Sequence, residues 1–290
     1  MIRTLLAAVA LLALTNVAQA APKASPAAAV PVATPGAPTA GDWRMPDPQN
    51  VLVIESTKGR VFVELNPEVA PNHVARIKEL ARAGLYDNRS FFRVIDLFMA
   101  QTGDPKDDGT GGSAKPDLAA EFTFRRGAQT PFVQVADQTV ADIGFIGALP
   151  VMTQSSMLMP MTADNKVSGW ALYCPGVAGM ARGEGVDSAN SQFFLMRQAY
   201  PSLEKRYTAF GRVVSGLDAV RAIKPGEPVA DPKDRMLKVQ VLADMPPATR
   251  PKIKVIDPRG AWFSAEVARV RAQMGADFTA CAIEIPSEVK

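Results

Sequence analysis

The chain has 290 residues, 47% hydrophobic and 21% charged, which suits one or two globular domains with a real core. Its formal charge is only +3 and the basic residues are not bunched, which argues against nucleic acid as the main partner. The single histidine, His73, falls in a predicted helix. Any Ser-His-Asp or Cys-His catalytic arrangement would hinge on that one residue, which reads as a helix-surface side chain.

Arg3, the apolar run Leu5 to Leu14 and Ala18-Gln19-Ala20 have the order of a cleavable signal peptide over 1–20. The run is too short to span a bilayer comfortably, so an uncleaved anchor is the weaker alternative. An exported, periplasmic protein starting at Ala21, with no stable membrane insertion after signal removal, is expected. From Ala21 to Pro48 the chain is Ala/Pro-rich and lacks a repeating apolar face. That composition predicts an extended linker. The two cysteines, Cys174 and Cys281, could pair in an oxidising compartment or remain two buried thiols.

Order is predicted from Val51. Val51–Glu55 and Arg60–Leu65 form a hairpin around Gly59. Pro71 to Ala83 carries Val74, Ile77, Leu80 and Ala81 at helical spacing, closed by Gly84. Phe91–Ile95 reads as a strand containing Arg93, and Phe98–Gln101 as a second, with Met99 and Gln101 on one face. A guanidinium beside a Phe/Met wall and a carboxamide suits a neutral, partly apolar ligand with a carbonyl to hold. Asp108–Gly112 is a tight glycine loop; no Gly-Lys-Ser/Thr follows, so it does not read as a phosphate cradle. Phe132–Val135, Ile143–Gly147, Val177–Arg182, Ser191–Met196, Tyr207–Val214 and Met236–Leu242 are further predicted strands, and Leu217–Ile223 is a helix. Gln192 and Phe194 share one strand face, and Phe193 takes the other. Met157, Met159 and Met161 could hold Cu(I) through thioethers, but no His or Cys stands close by in sequence, and adaptable packing or an apolar lip for client chains is the better reading. Trp262 to Met274 predicts a short C-terminal helix packed on the main domain.

The stretch FFRVIDLFMAQTGD, with Arg93, Phe98, Met99, Gln101, Gly103 and Asp104, resembles the cyclophilins, the peptidyl-prolyl cis-trans isomerases. Phe92 stands where that family usually has His, and Thr102 where it has a first Gly. The resemblance resumes around Val177–Arg182 and Ser191–Met196, and spans about Val51 to Asp244 apart from 125–173, which reads as an insertion. It implies a mainly β fold: a closed antiparallel eight-stranded barrel with two capping helices in a domain over 49–244, plus the insertion and a C-terminal extension over 245–290. It also implies a peptide groove lined by Arg93, Phe98, Met99, Gln101, Ala181, Gln192, Phe194, Leu203 and Tyr207. Ser202 stands where the family often has Trp, which weakens the expectation of cyclosporin binding.

Isomerising an X-Pro bond requires no metal, nucleophile or cofactor. On this reading Arg93, Gln101 and Phe98 are the catalytic residues. Met99, Ala181, Arg182, Gln192, Phe194, Leu203 and Tyr207 bind substrate, with the backbone at Ala181–Arg182 pairing with an extended peptide. The implied partners are proline-containing unfolded or flexible polypeptides, met by a monomer. The competing readings are a peptide-binding or chaperone module on the same scaffold with little turnover, and a carrier barrel for apolar ligands, which the large barrel-directed side chains disfavour.

Overall fold

The structure is a computed structural model that describes residues 34–290. The expected signal peptide and the start of the expected linker lie outside the described residues.

Alternating apolar positions build one antiparallel sheet of nine strands. In spatial order these are Arg89–Ser90, Arg235–Val241, Val51–Ser56, Gly59–Leu65, Ala209–Ser215, Val177–Met180, Phe193–Met196, Met99–Thr102 and Arg93–Ile95. The closed eight-stranded barrel is therefore corrected to a curled, open sheet. Its edges, Arg89–Ser90 and Arg93–Ile95, are consecutive in the chain but do not pair with each other. Phe91 and Phe92 cross the seam, where the Phe91 N–H donates to Asp234 O at 2.9 Å and Thr102 Oγ1 donates to Ser90 O at 2.8 Å. The apolar run that reads as one strand is thus split at the point where the chain passes from one edge to the other.

Side chains on one face of the sheet, including Leu52, Ile54, Val63, Ala100, Phe193 and Leu195, bury the apolar stripe of helix Pro71–Arg82. Pro71 opens that helix at a position where its missing N–H costs nothing. The short helix Leu217–Arg221 inserts Val220 into the same core. His73 is not a surface residue: it is fully buried, its Nδ1 lies 2.6 Å from Glu121 Oε2, and its backbone N–H donates to the same oxygen at 3.1 Å. A carboxylate 48 positions away in the chain thus satisfies Nδ1, while Nε2 is buried with no hydrogen-bond partner among the described residues.

Residues 125–173 build a second sheet, whose buried side chains share one core cluster with Met99, Phe194 and Leu203 of the groove floor. Strands Phe124–Arg126, Val167–Ala171, Leu149–Gln154, Ala141–Ile146 and Phe132–Gln138 make this antiparallel sheet in that spatial order. The C-terminal helix Ala261–Met274 is present, but it packs on this sheet: Phe263 meets Phe145 edge-on at 5.4 Å, and Arg271 Nη1 donates to Val135 O at 3.1 Å. A third sheet joins Trp43–Arg44, Ile253–Ile256 and Ser287–Val289, so the stretch read as linker to Pro48 already contains a paired strand. Arg44 grips Glu64 of the large sheet through two bonds, at 2.5 and 2.7 Å, and Ala148 N–H donates to the same carboxylate at 3.1 Å. Cys174 and Cys281 form a disulfide across 107 positions. The strand Trp43–Arg44, the second sheet and the chain from Ile253 to Val289 thus make one lobe beside the large sheet. Among the described residues, no helix is long and apolar enough to cross a membrane.

One buried ion pair orders the second sheet. Asp142 Oδ2 accepts from Arg126 Nη1 at 2.8 Å and from Ser156 N–H at 3.0 Å, and Arg126 stacks over Phe132. Burial pushes the Asp142 carboxyl up, but the Arg126 guanidinium and the Ser156 N–H together outweigh it and hold it below its ordinary value. A lowered folded value means that the stabilisation is present above the unfolded carboxyl range and is lost as pH falls through the folded value. Asp142→Asn should therefore cost about 1–3 kcal/mol near neutrality and flatten the acid limb of the stability profile. Urea unfolding at a series of pH values checks both; an unchanged acid limb would contradict the assignment.

Candidate active site

Cross-strand register places the site. Arg93 lies opposite Gln101, Gln101 opposite Phe194, and Phe194 opposite Gly179. One row across four strands therefore carries a guanidinium, a carboxamide, an aromatic ring and an empty position. The row is on the sheet face opposite Phe193, which is fully buried in the helix-side core. Glycine is required at 179 because a Cβ there would come within 2.6 Å of Phe194 Cζ and 3.0 Å of Tyr173 Cε1. Gly179→Ala should push the Phe194 ring into the groove and lower kcat/KM about tenfold, a loss of the size that misplacing a substrate-contacting group can cause. Peptide-turnover kinetics with a crystal structure of the variant would check this, and an unmoved ring with full activity would contradict it.

The row opens into a groove of about 660 Å³ lined by Phe92, Arg93, Phe98, Met99, Gln101, Asp108, Gly109, Thr110, Ala181, Arg182, Phe194, Leu203, Tyr207, Glu227 and Pro228. Met99, Phe194 and Leu203 are almost fully buried around its floor. Phe98 packs against Tyr200 at 4.4 Å with the rings tilted by 43°, and Phe194 meets Tyr207 edge-on at 6.0 Å. Arg182 lies over the Tyr207 ring at 4.7 Å and donates from Nε to Arg206 O at 3.0 Å.

Above the apolar floor runs a relay of polar groups. Gln192 Nε2 donates to the carbonyls of Gly109 and Gly111 at 3.0 and 2.7 Å. Gln101 Nε2 donates to Gln192 Oε1 at 3.0 Å. Arg93 Nη1 donates to Gln101 Oε1 at 3.2 Å, and Arg93 Nε to Glu227 Oε1 at 2.5 Å. Each carboxamide is fixed at both ends, so the order of donors leaves one orientation for each. The glycine loop is itself held by Asp104, whose carboxylate accepts from the N–H groups of Lys106, Asp108 and Gly109. Asp108 at the rim is held below its ordinary carboxyl value by the backbone N–H of Thr110, then by the Thr110 hydroxyl.

The structure brings nine of the ten predicted site residues to the groove wall. The tenth, Gln192, lines an adjoining recess shared with Gln101, Gly109, Ala181 and Arg182. The expected backbone pairing at Ala181 is limited, because its N–H already donates to Gln192 O at 2.9 Å. Asp108, Gly109 and Thr110 belong to the glycine loop, which the cyclophilin resemblance sets beside the groove, whereas sequence reasoning missed Phe92 as a wall residue, and it missed Glu227 and Pro228. The only local sign of the last two is the turn-forming Gly226-Glu227-Pro228. No residue of 125–173 lines the groove, and Met157 and Met161 stand exposed on the lobe.

The sequence profile of the family described as "Cyclophilin type peptidyl-prolyl cis-trans isomerase/CLD" matches residues 51–243. A protein of Brucella suis named a "probable peptidyl-prolyl cis-trans isomerase" is 37% identical over 214 residues, covering 68% of this chain and 85% of its own. One of the same name from Brucella abortus is 36% identical over the same length, with the same coverage of both chains. The crystal structure of a cyclophilin from Hirschia baltica superposes with a TM-score of 0.78 at 36% identity, covering 85% of this chain and 93% of its own. The profile spans most of the chain, and the groove lies on the sheet that it covers. The protein therefore belongs to the cyclophilin-type peptidyl-prolyl cis-trans isomerases.

Proposed function

We propose that the protein isomerises X-Pro bonds of exported, unfolded or flexible chains in the bacterial cell envelope, as a monomer, with Arg93 stabilising the twisted amide. Rotation about a peptide bond is opposed by about 18–20 kcal/mol because twisting destroys amide resonance. A catalyst must therefore hold the proline and favour the twisted amide over the planar one. Twisting leaves a lone pair on the proline nitrogen, and a fixed guanidinium beside it can donate a hydrogen bond to that pair. The carrying observation is the juxtaposition of Arg93, held by Gln101 at 3.2 Å, with the ring-sized hollow of Phe98, Met99, Phe194 and Leu203. In this account the hollow takes the pyrrolidine ring, Gln101 orients Arg93, and Arg182 with Tyr207 borders the flanking residue.

The chemistry calls for no cofactor and no proton transfer. Export is supported by the signal-like pattern of 1–20 and by the Cys174–Cys281 disulfide, a bond that persists in oxidising compartments. The test is equilibrium exchange of X-Pro tetrapeptides followed with and without the protein. The account expects saturable acceleration that an unlabelled proline peptide competes away. Peptide binding without acceleration would replace it with a binding or chaperone role.

A further inference from the structure

The geometry points to Glu227 as a positioning residue for Arg93, an inference that rests on the isomerase reading of the groove. Its carboxylate takes the Arg93 Nε–H at 2.5 Å while Gln101 takes Nη1 at 3.2 Å. A planar guanidinium held at two of its nitrogens has little freedom left to turn. Nη2 makes no hydrogen bond to another described residue, so both of its N–H groups stay available to a substrate.

The backbone explains why Glu227 stands there. Gly226 and Val94 exchange both backbone hydrogen bonds, each at 2.8 Å, and Val229 N–H donates to Phe92 O at 2.9 Å. The loop is thus stapled to the chain on both sides of Arg93, with Glu227 and Pro228 spanning the gap. Gly226 permits so tight a turn: a Cβ there would fall 2.7 Å from Val229 Cα and 2.8 Å from Pro228 O. Surface ion pairs between mobile side chains contribute little, but here the acid is carried on a backbone fixed to the same strand as the base. Its side chain remains about half exposed, at 55%, so replacing it removes no core packing.

In the ground state the pair draws the guanidinium towards the groove wall formed by Glu227 and Pro228. In the reaction it holds the Nε edge, so that the free edge meets the rotating amide without a prior reorientation. Losing one of two tethers costs alignment rather than charge, so the effect should fall on kcat and leave KM close to the wild-type value.

The experiment compares the wild type with Glu227→Ala and Glu227→Gln by saturation kinetics on proline tetrapeptides, with thermal unfolding as a control. Nitrogen-15 NMR of the arginine side chains, with the Arg93 resonance assigned from Arg93→Lys, supplies the second readout. We expect kcat to fall about tenfold in Glu227→Ala, partial rescue in Glu227→Gln, which keeps an acceptor, and an unchanged Tm. The Arg93 Nε–H resonance should move in both variants. Glu227→Ala with kcat equal to or above wild type would overturn the inference, as would an Arg93 resonance at the same position in all three proteins. A wild type without turnover would overturn the isomerase reading instead, and the NMR comparison would still decide whether Glu227 holds Arg93.

Discussion

Replacing Arg93 by Ala should lower kcat/KM for X-Pro turnover about 100- to 1000-fold, the effect of removing one pre-organised transition-state donor, while proline-peptide affinity changes far less. The separation follows from the division of labour in the groove. The apolar floor of Met99, Phe194 and Leu203 is almost fully buried and stays in place when a half-exposed side chain on the edge strand is cut back. A guanidinium that meets the amide nitrogen strongly only when the bond is twisted contributes to the transition state and little to the bound ground state. Arg93→Lys should recover only part of the loss, because an ammonium cannot engage Gln101 and Glu227 while presenting a third donor in the same plane. A protease-coupled assay measures turnover and isothermal titration measures binding. A parallel fall of both would mean that Arg93 merely binds.

The second large effect is on stability. Cys174→Ser or Cys281→Ser should lower the free energy of unfolding by about 2–5 kcal/mol, because the bridge closes a long loop and restricts the unfolded chain. The loop spans 107 positions and holds the third-sheet and helix segments of the lobe to the chain just ahead of strand Val177–Met180. The groove residues lie on the large sheet and its own loops, so the variants should retain isomerase activity at temperatures where they remain folded. Urea unfolding with and without reductant checks the first part, and turnover of the folded variants checks the second. An unchanged midpoint on reduction would show that the lobe is held by its packing alone.

The legible parts of this protein are the local ones. Met99 and Gln101 lie two positions apart on one strand, so alternation puts them on one face, and the same period separates Phe194 from Phe193, whereas the register that sets Arg93 opposite Gln101 is decided by the turn between their strands. Helix Pro71–Arg82 announces itself through its spacing and its opening proline. What was not legible depends on contacts between distant segments. Glu227 reaches Arg93 across 134 positions from a loop with no apolar period. His73 is buried with its Nδ1 on Glu121, and a lone histidine on a helix gives no sign of that. The strand Trp43–Arg44 is two residues long, too short for any pattern, and exists because Ile253–Ile256 pairs with it. The strands of 132–146 read correctly one by one, but their assembly into a separate sheet under the C-terminal helix is decided by packing of Phe145 on Phe263. The closed barrel, expected from the cyclophilin resemblance, failed for a similar reason: closure depends on pairing between the edges Arg89–Ser90 and Arg93–Ile95, which no local pattern decides, and they do not pair.

The central claim is that Arg93 acts on the rotating bond rather than on peptide capture. Exchange NMR on a labelled proline peptide reports both, since binding shifts the resonances and catalysis links the cis and trans signals through cross-peaks. The account predicts strong cross-peaks with the wild type, and with Arg93→Ala the same binding shifts but cross-peaks no stronger than in free peptide. Cross-peaks of equal strength in the two proteins would contradict it.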